Sequence, residues 1–184
     1  MTSTTVESTE SPSQTDPVAP KVLVLGLGND VLSDDAIGLF VARELRRRFA
    51  GHPSVHARET AEMGLALLDF LVGYDAAAIV DSIQTGRAEP GFIHKLDAAS
   101  LTQFTGRTPH FLGVGETLAL GARLQMPMPK QVMILAVEVE DPFTLSTQLT
   151  PALQAALPAI VEQIVSIVSA MAGIKASNGR PDST

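Results

Sequence analysis

The sequence predicts an α/β protein, a twisted and mostly parallel sheet with helices on both faces, folded as a single domain. Apolar runs typical of buried strands alternate along the chain with segments whose apolar residues recur at helical spacing. The chain has 184 residues, of which 45% are hydrophobic, so its length and composition suit one domain with a substantial core. The sequence contains no internal repeat and no linker long enough to divide this body.

The first half of the chain begins with the clearest strand. Val22 to Leu27 is apolar apart from Gly26, as is typical of a parallel strand buried on both faces. Gly26 and Gly28 allow a tight backbone turn at its end. The elements predicted next are a helix, a short strand, a second helix and a third strand ending in Asp81: Ala36 to Phe49, Val55 to Arg58, Gly64 to Val72 and 76–81.

The second half begins with a strand at 92–96, and the short link before it, GRAEPG, predicts a hairpin-like addition rather than a crossover. An irregular polar stretch over 98–110 precedes a helix at 112–124 and a last core strand at 131–139. Thr150 followed by Pro151 predicts the start of a final helix. Pro158 is expected to kink that helix or to restart it.

Composition and the chain ends exclude several classes of protein. Residues 1–20 lack the basic and apolar regions of a secretory signal, and we expect loose tails at 1–20 and 173–184 around a domain at 21–172. A net charge of -7 argues against a nucleic-acid partner. We expect no sufficiently apolar run of membrane-spanning length, and hence no membrane partner. The absence of cysteine fits a reducing compartment, so we expect a cytoplasmic location.

The turn after the first strand is the segment that best predicts a functional site. Asp34 and Asp35 open a helix at the carboxyl end of this strand, where open α/β sheets bind ligands. Acids in a first helical turn also serve simply as caps or as partners of the helix dipole. A dinucleotide site fits poorly, because a G-x-G-x-x-G motif would need glycine where Val31 stands and the two acids would repel a pyrophosphate.

Three residues of the predicted sheet edge form a candidate metal constellation. Asp35, Asp81 and His110 each stand at or just beyond an element boundary. Two carboxylates and one imidazole make a plausible half-shell for a divalent transition metal, with positions left open for a substrate ligand. Spacing alone is weak support, because unrelated Asp and His residues at loop ends are common.

Four segments together resemble the maturation endopeptidases of nickel-iron hydrogenases, from Val22 to about Ile167. They read GLGNDVLSDDAIG, ALLDFLVGYDAAAIVDSIQTG, TPHFLGVGETLALG and VEVEDPFTLSTQLTPALQAALP. The resemblance implies a twisted α/β sheet and removal of a C-terminal extension from the precursor of the hydrogenase large subunit. It also implies that the metal-contacting acid of the first motif is Asp35, that the strand-end aspartate is Asp81 and that the histidine is His110.

This sequence departs from the family pattern at two places. Ala36 stands where many members have glycine, and alanine suits a helix. The segment Glu59 to Gly64 stands where many members have an Asp-Gly-Gly-Thr turn, so the role of Glu59 is left open although a carboxylate is retained.

The chemistry implied by the resemblance uses nickel already loaded in the substrate, with no tightly bound cofactor. The sequence lacks cysteine, the G-x-S-x-G elbow of many serine hydrolases and the H-E-x-x-H motif of zincins, so we expect none of these protease types. Asp35, Asp81 and His110 would complete the nickel coordination when the precursor docks. Nickel would then act as a Lewis acid on the scissile carbonyl or lower the pKa of a bound water, and the sequence does not decide between them. A non-cleaving nickel-dependent checkpoint or chaperone for the large subunit would use the same ligands.

Other polar residues have weaker claims to function. The acids at the end of the last strand either line the site or, as the favoured alternative, form a solvated loop or a substrate-docking rim: Glu138, Glu140 and Asp141. The residues after Asp81 either support it or form a plain turn: Gln84, Thr85 and Gly86. The remaining histidines are expected to be packed or on the surface rather than metal ligands: His52, His56 and His94.

Overall fold

Five strands form the sheet of this computed structural model, which describes residues 19–97 and 113–174. The strands are β1 (Val22–Leu27), β2 (Val55–Thr60), β3 (Ala76–Ile83), β4 (Ile93–Asp97) and β5 (Gln131–Glu138). Their order across the sheet is β2-β1-β3-β5-β4. The first four strands of this order run parallel, and β4 runs antiparallel to β5. The predicted mostly parallel α/β sheet is therefore confirmed.

The helices occupy the predicted places along the chain. They are α1 (Ile37–Arg48), α2 (Leu68–Leu71), α3 (Val114–Arg123) and α4 (Pro151–Met171). Short 3-10 turns precede two of them, Asp34–Ala36 before α1 and Gly64–Leu67 before α2. The second helix is thus shorter than its apolar pattern predicts, because its first turn is wound more tightly than an α-helix.

Two apolar layers hold the helices against the sheet, because successive strand residues point to opposite faces. On one face, alternate strand residues such as Val24 pack with α1 and α4. On the other, residues such as Leu25 pack with α2 and α3. The prediction of helices on both faces is confirmed.

The connection between β3 and β4 contradicts the predicted hairpin. β5 lies between these two strands, and β4 pairs with β5. Residues 84–92 cross the end of β5, where Gly91 N donates to the Glu138 carbonyl at 2.8 Å and Glu138 N donates to the Phe92 carbonyl at 2.8 Å. A connection of this length easily spans the roughly 10 Å that separates strands on either side of a third.

The final helix bears on two expectations. α4 begins as predicted, with Thr150 as its N-cap and proline in its first turn. It runs through Pro158 without restarting, so of the two effects expected of this proline, a kink or a restart, the restart is wrong. By length and composition alone, α4 is also long and apolar enough to cross a membrane. We expected no apolar run of that length, so this expectation is wrong. In this fold one face of α4 packs into the core through Leu153, Ile160 and Ile164, and 28% of its most apolar stretch is buried.

Close backbone contact seats the start of α1 on the ends of β1 and β3. A Cβ added at Gly26 would lie 2.0 Å from the Gly38 carbonyl oxygen, and one at Gly38 would lie 2.2 Å from the Leu27 carbonyl oxygen. Only glycine fits such an approach. The strand order reverses between β1 and β3, so the loop that leads into α1 lies at the switch point where open α/β sheets bind ligands.

Candidate functional site

Asp35 lies above the switch point on a loop that folds back on its own start. A Cβ at Gly28, whose φ is +150°, would lie 2.1 Å from the Asp35 carbonyl oxygen, so glycine is required there. The Asp35 side chain is buried, and its Oδ1 accepts a hydrogen bond of 2.8 Å from Ser82 Oγ on β3. The carboxylate therefore faces the end of the neighbouring strand.

Asp81 is fully buried and lies within β3, not at its end, because the strand continues to Ile83. The register of β1 with β3 ends at the pair Gly26 and Val80, whereas β5 continues beside β3 to the pair Ile83 and Glu138. Asp81 is thus the first residue of β3 beyond its last pair with β1. The predicted boundary exists, but it is the end of the pairing between β1 and β3.

Ser82 joins the two acids. Its hydroxyl donates to Asp35, and its backbone N–H donates to Asp81 Oδ1 at 2.8 Å. Our reading of the sequence missed Ser82, although a hydroxyl directly after the predicted strand-end acid was the available signal. Asp35 thus contacts the residue that directly follows Asp81, at the carboxyl end of β3.

The third predicted ligand, His110, lies outside the described residues. Among residues 19–97 and 113–174, no three His, Cys, Asp or Glu side chains are grouped as a metal site. Two carboxylates at one edge fit part of the shell of a divalent transition metal, with further ligands to come from elsewhere.

Asp34, the neighbour of Asp35, anchors the loop between β5 and α4. Its carboxylate is fully buried and accepts four hydrogen bonds. The donors are Glu140 N at 3.2 Å, Asp141 N at 3.0 Å, Thr150 N at 2.7 Å and Thr150 Oγ1 at 3.0 Å. Asp34 is therefore committed to holding both ends of this loop beside the candidate site.

Glu138 is buried with 1% of its surface exposed, so the expected solvated position is wrong for this residue. It accepts hydrogen bonds from Thr85 N, Thr85 Oγ1 and Gly86 N at 2.7 to 2.8 Å, and it contacts His94 Nε2 at 2.8 Å. Burial alone would raise the pKa of the Glu138 carboxyl, but the hydrogen bonds from Thr85, His94 and Gly86 outweigh it and hold the pKa below its usual range.

These contacts also assign the residues that follow Asp81. Thr85 and Gly86 bind Glu138, which fixes the connection that crosses the end of β5. Gln84 Nε2 donates to the Glu140 carbonyl at 2.7 Å. We expected this turn either to support Asp81 or to be a plain turn. These contacts instead hold the neighbouring loops in place. The signal in the sequence was a turn of small polar residues whose N–H groups needed an acceptor.

The remaining candidates lie away from the pair. Glu59, at the end of β2, accepts hydrogen bonds from Arg43 Nε at 2.7 Å and from an Arg46 side-chain nitrogen at 3.4 Å, so it anchors the outer face of α1. His52 Nδ1 accepts from Ser54 N at 3.2 Å, and His56 Nδ1 lies 3.0 Å from the Tyr74 hydroxyl.

Comparisons with known proteins point to one family. A family model described as hydrogenase maturation protease matches residues 39–167, a range that includes Asp81 and His110 and begins just after Asp35. The hydrogenase 2 maturation protease of Escherichia coli (strain K12) is 28% identical over 148 residues, which cover 79% of this chain and 89% of the relative. The hydrogenase expression/formation protein HupD of Rhizobium leguminosarum bv. viciae is 25% identical over 155 residues, 83% of this chain and 76% of HupD.

The fold is likewise similar to solved structures. The hydrogenase maturating endopeptidase HybD from E. coli superposes with a TM-score of 0.69 at 27% identity, covering 82% of this chain and 93% of HybD. The [NiFe] hydrogenase maturation protease HybD from Thermococcus kodakarensis has a TM-score of 0.63 at 22% identity, covering 80% and 99%, and shows the shared fold.

Proposed function

Since this chain belongs to the hydrogenase maturation protease family, we propose that it is an endopeptidase that removes the C-terminal extension from the precursor of a nickel-iron hydrogenase large subunit. The observation that supports the proposal is the hydrogen bond from Ser82, the residue after Asp81, to buried Asp35 at the switch point of the sheet. These buried carboxylates lie where a docked peptide can reach the sheet edge.

Nickel enters this proposal as part of the substrate. Asp35, Asp81 and His110 are the residues that would contact the nickel of a loaded precursor, since oxygen and imidazole ligands suit that ion. These three residues alone leave the coordination shell of nickel incomplete. Only a precursor that already carries nickel would supply both the ion and its remaining ligands. Nickel-dependent recognition follows from this incompleteness, and so does processing after metal insertion.

The reaction is hydrolysis of one peptide bond. The oxygen of a water molecule bonds to the scissile carbonyl carbon, the carbon–nitrogen bond breaks, and the leaving amine takes a proton. On the enzyme side, the hydrogen bonds from Ser82 hold the two carboxylates in place before the precursor arrives. Such prior orientation is what a site needs to position a reacting group.

The isolated protein should hold metal weakly, because three oxygen and nitrogen ligands without a thiolate leave the shell open. We expect protein purified without chelator to be mostly free of nickel and zinc by elemental analysis. Nickel or zinc that stays bound at one ion per chain through dialysis against a mild chelator would instead indicate a standing metalloprotease.

The function is tested by incubating the purified protein with nickel-loaded and nickel-free large-subunit precursor and measuring the mass of the large subunit. We expect shortening of the loaded precursor alone. A stable complex with no change in mass would instead identify a checkpoint or chaperone, and cleavage of both forms would remove nickel from recognition. We also propose a cytoplasmic location, which fractionation of the source cells would check.

A further inference from the structure

Three large apolar side chains stand in solvent beside the candidate site. Val31 is 52% exposed, Phe143 62% and Leu145 80%. They come from two loops that lie side by side, the loop after β1 and the loop after β5. Leu32 and Leu145 form a β-bridge, Ser33 N donates to the Thr144 carbonyl at 2.9 Å, and Ser146 N donates to the Val31 carbonyl at 3.2 Å. We call Val31, Phe143 and Leu145 the apolar ridge.

The ridge is held in place from beneath. Asp34 binds both ends of the loop that carries Phe143 and Leu145, through the N–H groups of Asp141 and Thr150. The same loop is turned by Asp141, whose Oδ1 accepts from Phe143 N at 3.1 Å and from Thr144 N at 3.0 Å. Exposed apolar side chains on a loop so firmly fixed are typical of a binding surface, since nothing in their own fold requires their exposure.

The charged residues within the two ridge loops have a single sign. The two loops, residues 28–36 and 139–150, contain five carboxylates and no lysine, arginine or histidine: Asp30, Asp34, Asp35, Glu140 and Asp141. Asp30 and Glu140 are exposed, and Asp30 Oδ2 lies 4.0 Å from a guanidinium nitrogen of Arg43 on α1. A surface that combines apolar side chains with carboxylates is complementary to a partner segment that combines apolar and basic side chains.

We propose that the apolar ridge is the docking surface for an apolar segment of the large-subunit precursor that is flanked by basic residues. The inference rests on the proposed function and adds to it the part of the enzyme that recognises protein rather than metal. The ridge is continuous with the site, because Asp34 anchors its loop and Asp35 is the next residue. A second copy of this chain is disfavoured as the occupant, since two such acidic surfaces would repel each other.

The test compares serine substitutions at two edges of the sheet. Phe143→Ser and Leu145→Ser remove exposed side chains of the ridge. Leu124→Ser is the matched control, because Leu124 is 60% exposed and lies on the loop that leads into the amino end of β5. Binding of nickel-loaded precursor is measured by biolayer interferometry and processing by mass spectrometry, and a thermal melt checks that each variant is folded.

We expect each ridge variant to bind precursor about tenfold more weakly, with a raised KM and an unchanged kcat, whereas Leu124→Ser behaves as wild type. Wild-type binding should weaken as salt rises from about 50 to about 200 mM, because the contact involves opposite charges. Equal binding by all three variants, or binding insensitive to salt, would overturn the docking proposal.

The docking proposal and the proposed function fail in different ways. Wild-type protein that binds the precursor through the ridge without shortening it would contradict the protease function and leave the docking surface intact. Wild-type protein that shortens the precursor while both ridge variants have the same KM as wild type would support the protease function and contradict the docking surface. Concentration-dependent dimers that Leu145→Ser abolishes, with binding of precursor unaffected, would assign the ridge to self-association instead.

Discussion

Two kinds of buried carboxylate lie at the same edge of this sheet, and burial alone does not distinguish them. Asp34 and Glu138 accept hydrogen bonds from backbone N–H groups of loops that arrive from distant parts of the chain. Asp35 and Asp81 instead share Ser82, at the point where β1 has ended and β3 continues. The first pair holds loops in place, and the second pair is the one proposed to contact the substrate.

The difference is sharpest between the adjacent residues Asp34 and Asp35. Both open the same 3-10 turn, and 5% or less of either is exposed. Asp34 faces the loop after β5, whereas Asp35 faces β3. The two acids therefore differ in what they bind and not in how deeply they are buried. Substitutions at these positions test that difference.

Asp35→Asn, Asp81→Asn and His110→Ala should each slow processing of the precursor by at least about a hundredfold, because each removes one proposed ligand of the substrate nickel. Mass spectrometry of the large subunit over time measures the rate. Asp69→Asn, an exposed acid on α2, is the control and should process as wild type. Combining two of the ligand substitutions should add little, since ligands of one ion act as a unit. Normal processing by Asp81→Asn or His110→Ala would refute the proposed site.

Asp34→Asn should lower the free energy of unfolding by about 2 to 3 kcal/mol, because an amide replaces a buried charge that accepts four hydrogen bonds. Denaturant unfolding measures this change. Asp35→Asn should cost less stability and more activity than Asp34→Asn. If the two variants lost stability and activity to the same extent, the division between loop anchor and site residue would be wrong.

Glu138→Gln should lose about 1 to 2 kcal/mol of stability at neutral pH, since the amide cannot accept from all of its present donors. The pKa of Glu138 is lower in the folded state than in the unfolded state. Its stabilising contribution to the fold is therefore complete above the carboxyl pKa of the unfolded chain, and it is lost as the pH falls through the carboxyl pKa of the folded protein. Unfolding measured against pH should show the advantage of wild type shrinking on acidification. Glu116→Gln, at an exposed position on α3, should show no such dependence.

Removal of residues 1–18 and 175–184 should leave both stability and processing within error of the full chain. The cut after Ile174 keeps Ala172 and Ile174, which pack against the core. Thermal melting and the processing assay measure the outcome. A fall in melting temperature of more than a few degrees would show that a tail contributes to the folded domain.

The regular elements could be predicted because each carries its own signal. Strand and helix periodicities gave the order of elements, and Thr150 with Pro151 gave the start of α4. The place of β4 could not be predicted, because a short connection favours neighbouring strands and nothing local reveals that β5 inserts between them. The exposure of Glu138 was misjudged for the same reason, since its donors lie on a connection about fifty residues away in the sequence.

At the site, resemblance supplied Asp35, Asp81 and His110, and the fold supplies a physical reason for the pairing of the first two. Both acids come to the switch point because α1 rests directly on the strand ends through Gly26 and Gly38. Ser82 and the role of Asp34 required the coordinates, because each depends on a contact between separate elements. The roles of Asp35, Asp81 and His110 as metal contacts all stay predictions, and His110 lies outside the described residues.

The strand order also constrains when the protein becomes functional during its own synthesis. β4 is made before β5, yet it is held in the sheet by β5, and β3 gains its second neighbour only when β5 arrives. Asp34, near the start of the chain, finds its first two hydrogen-bond donors once Glu140 and Asp141 have been made and its last two only with Thr150. The nascent chain therefore carries an unfinished sheet with an open edge for most of translation, and the loop after β5 is fixed to the loop after β1 only near the end.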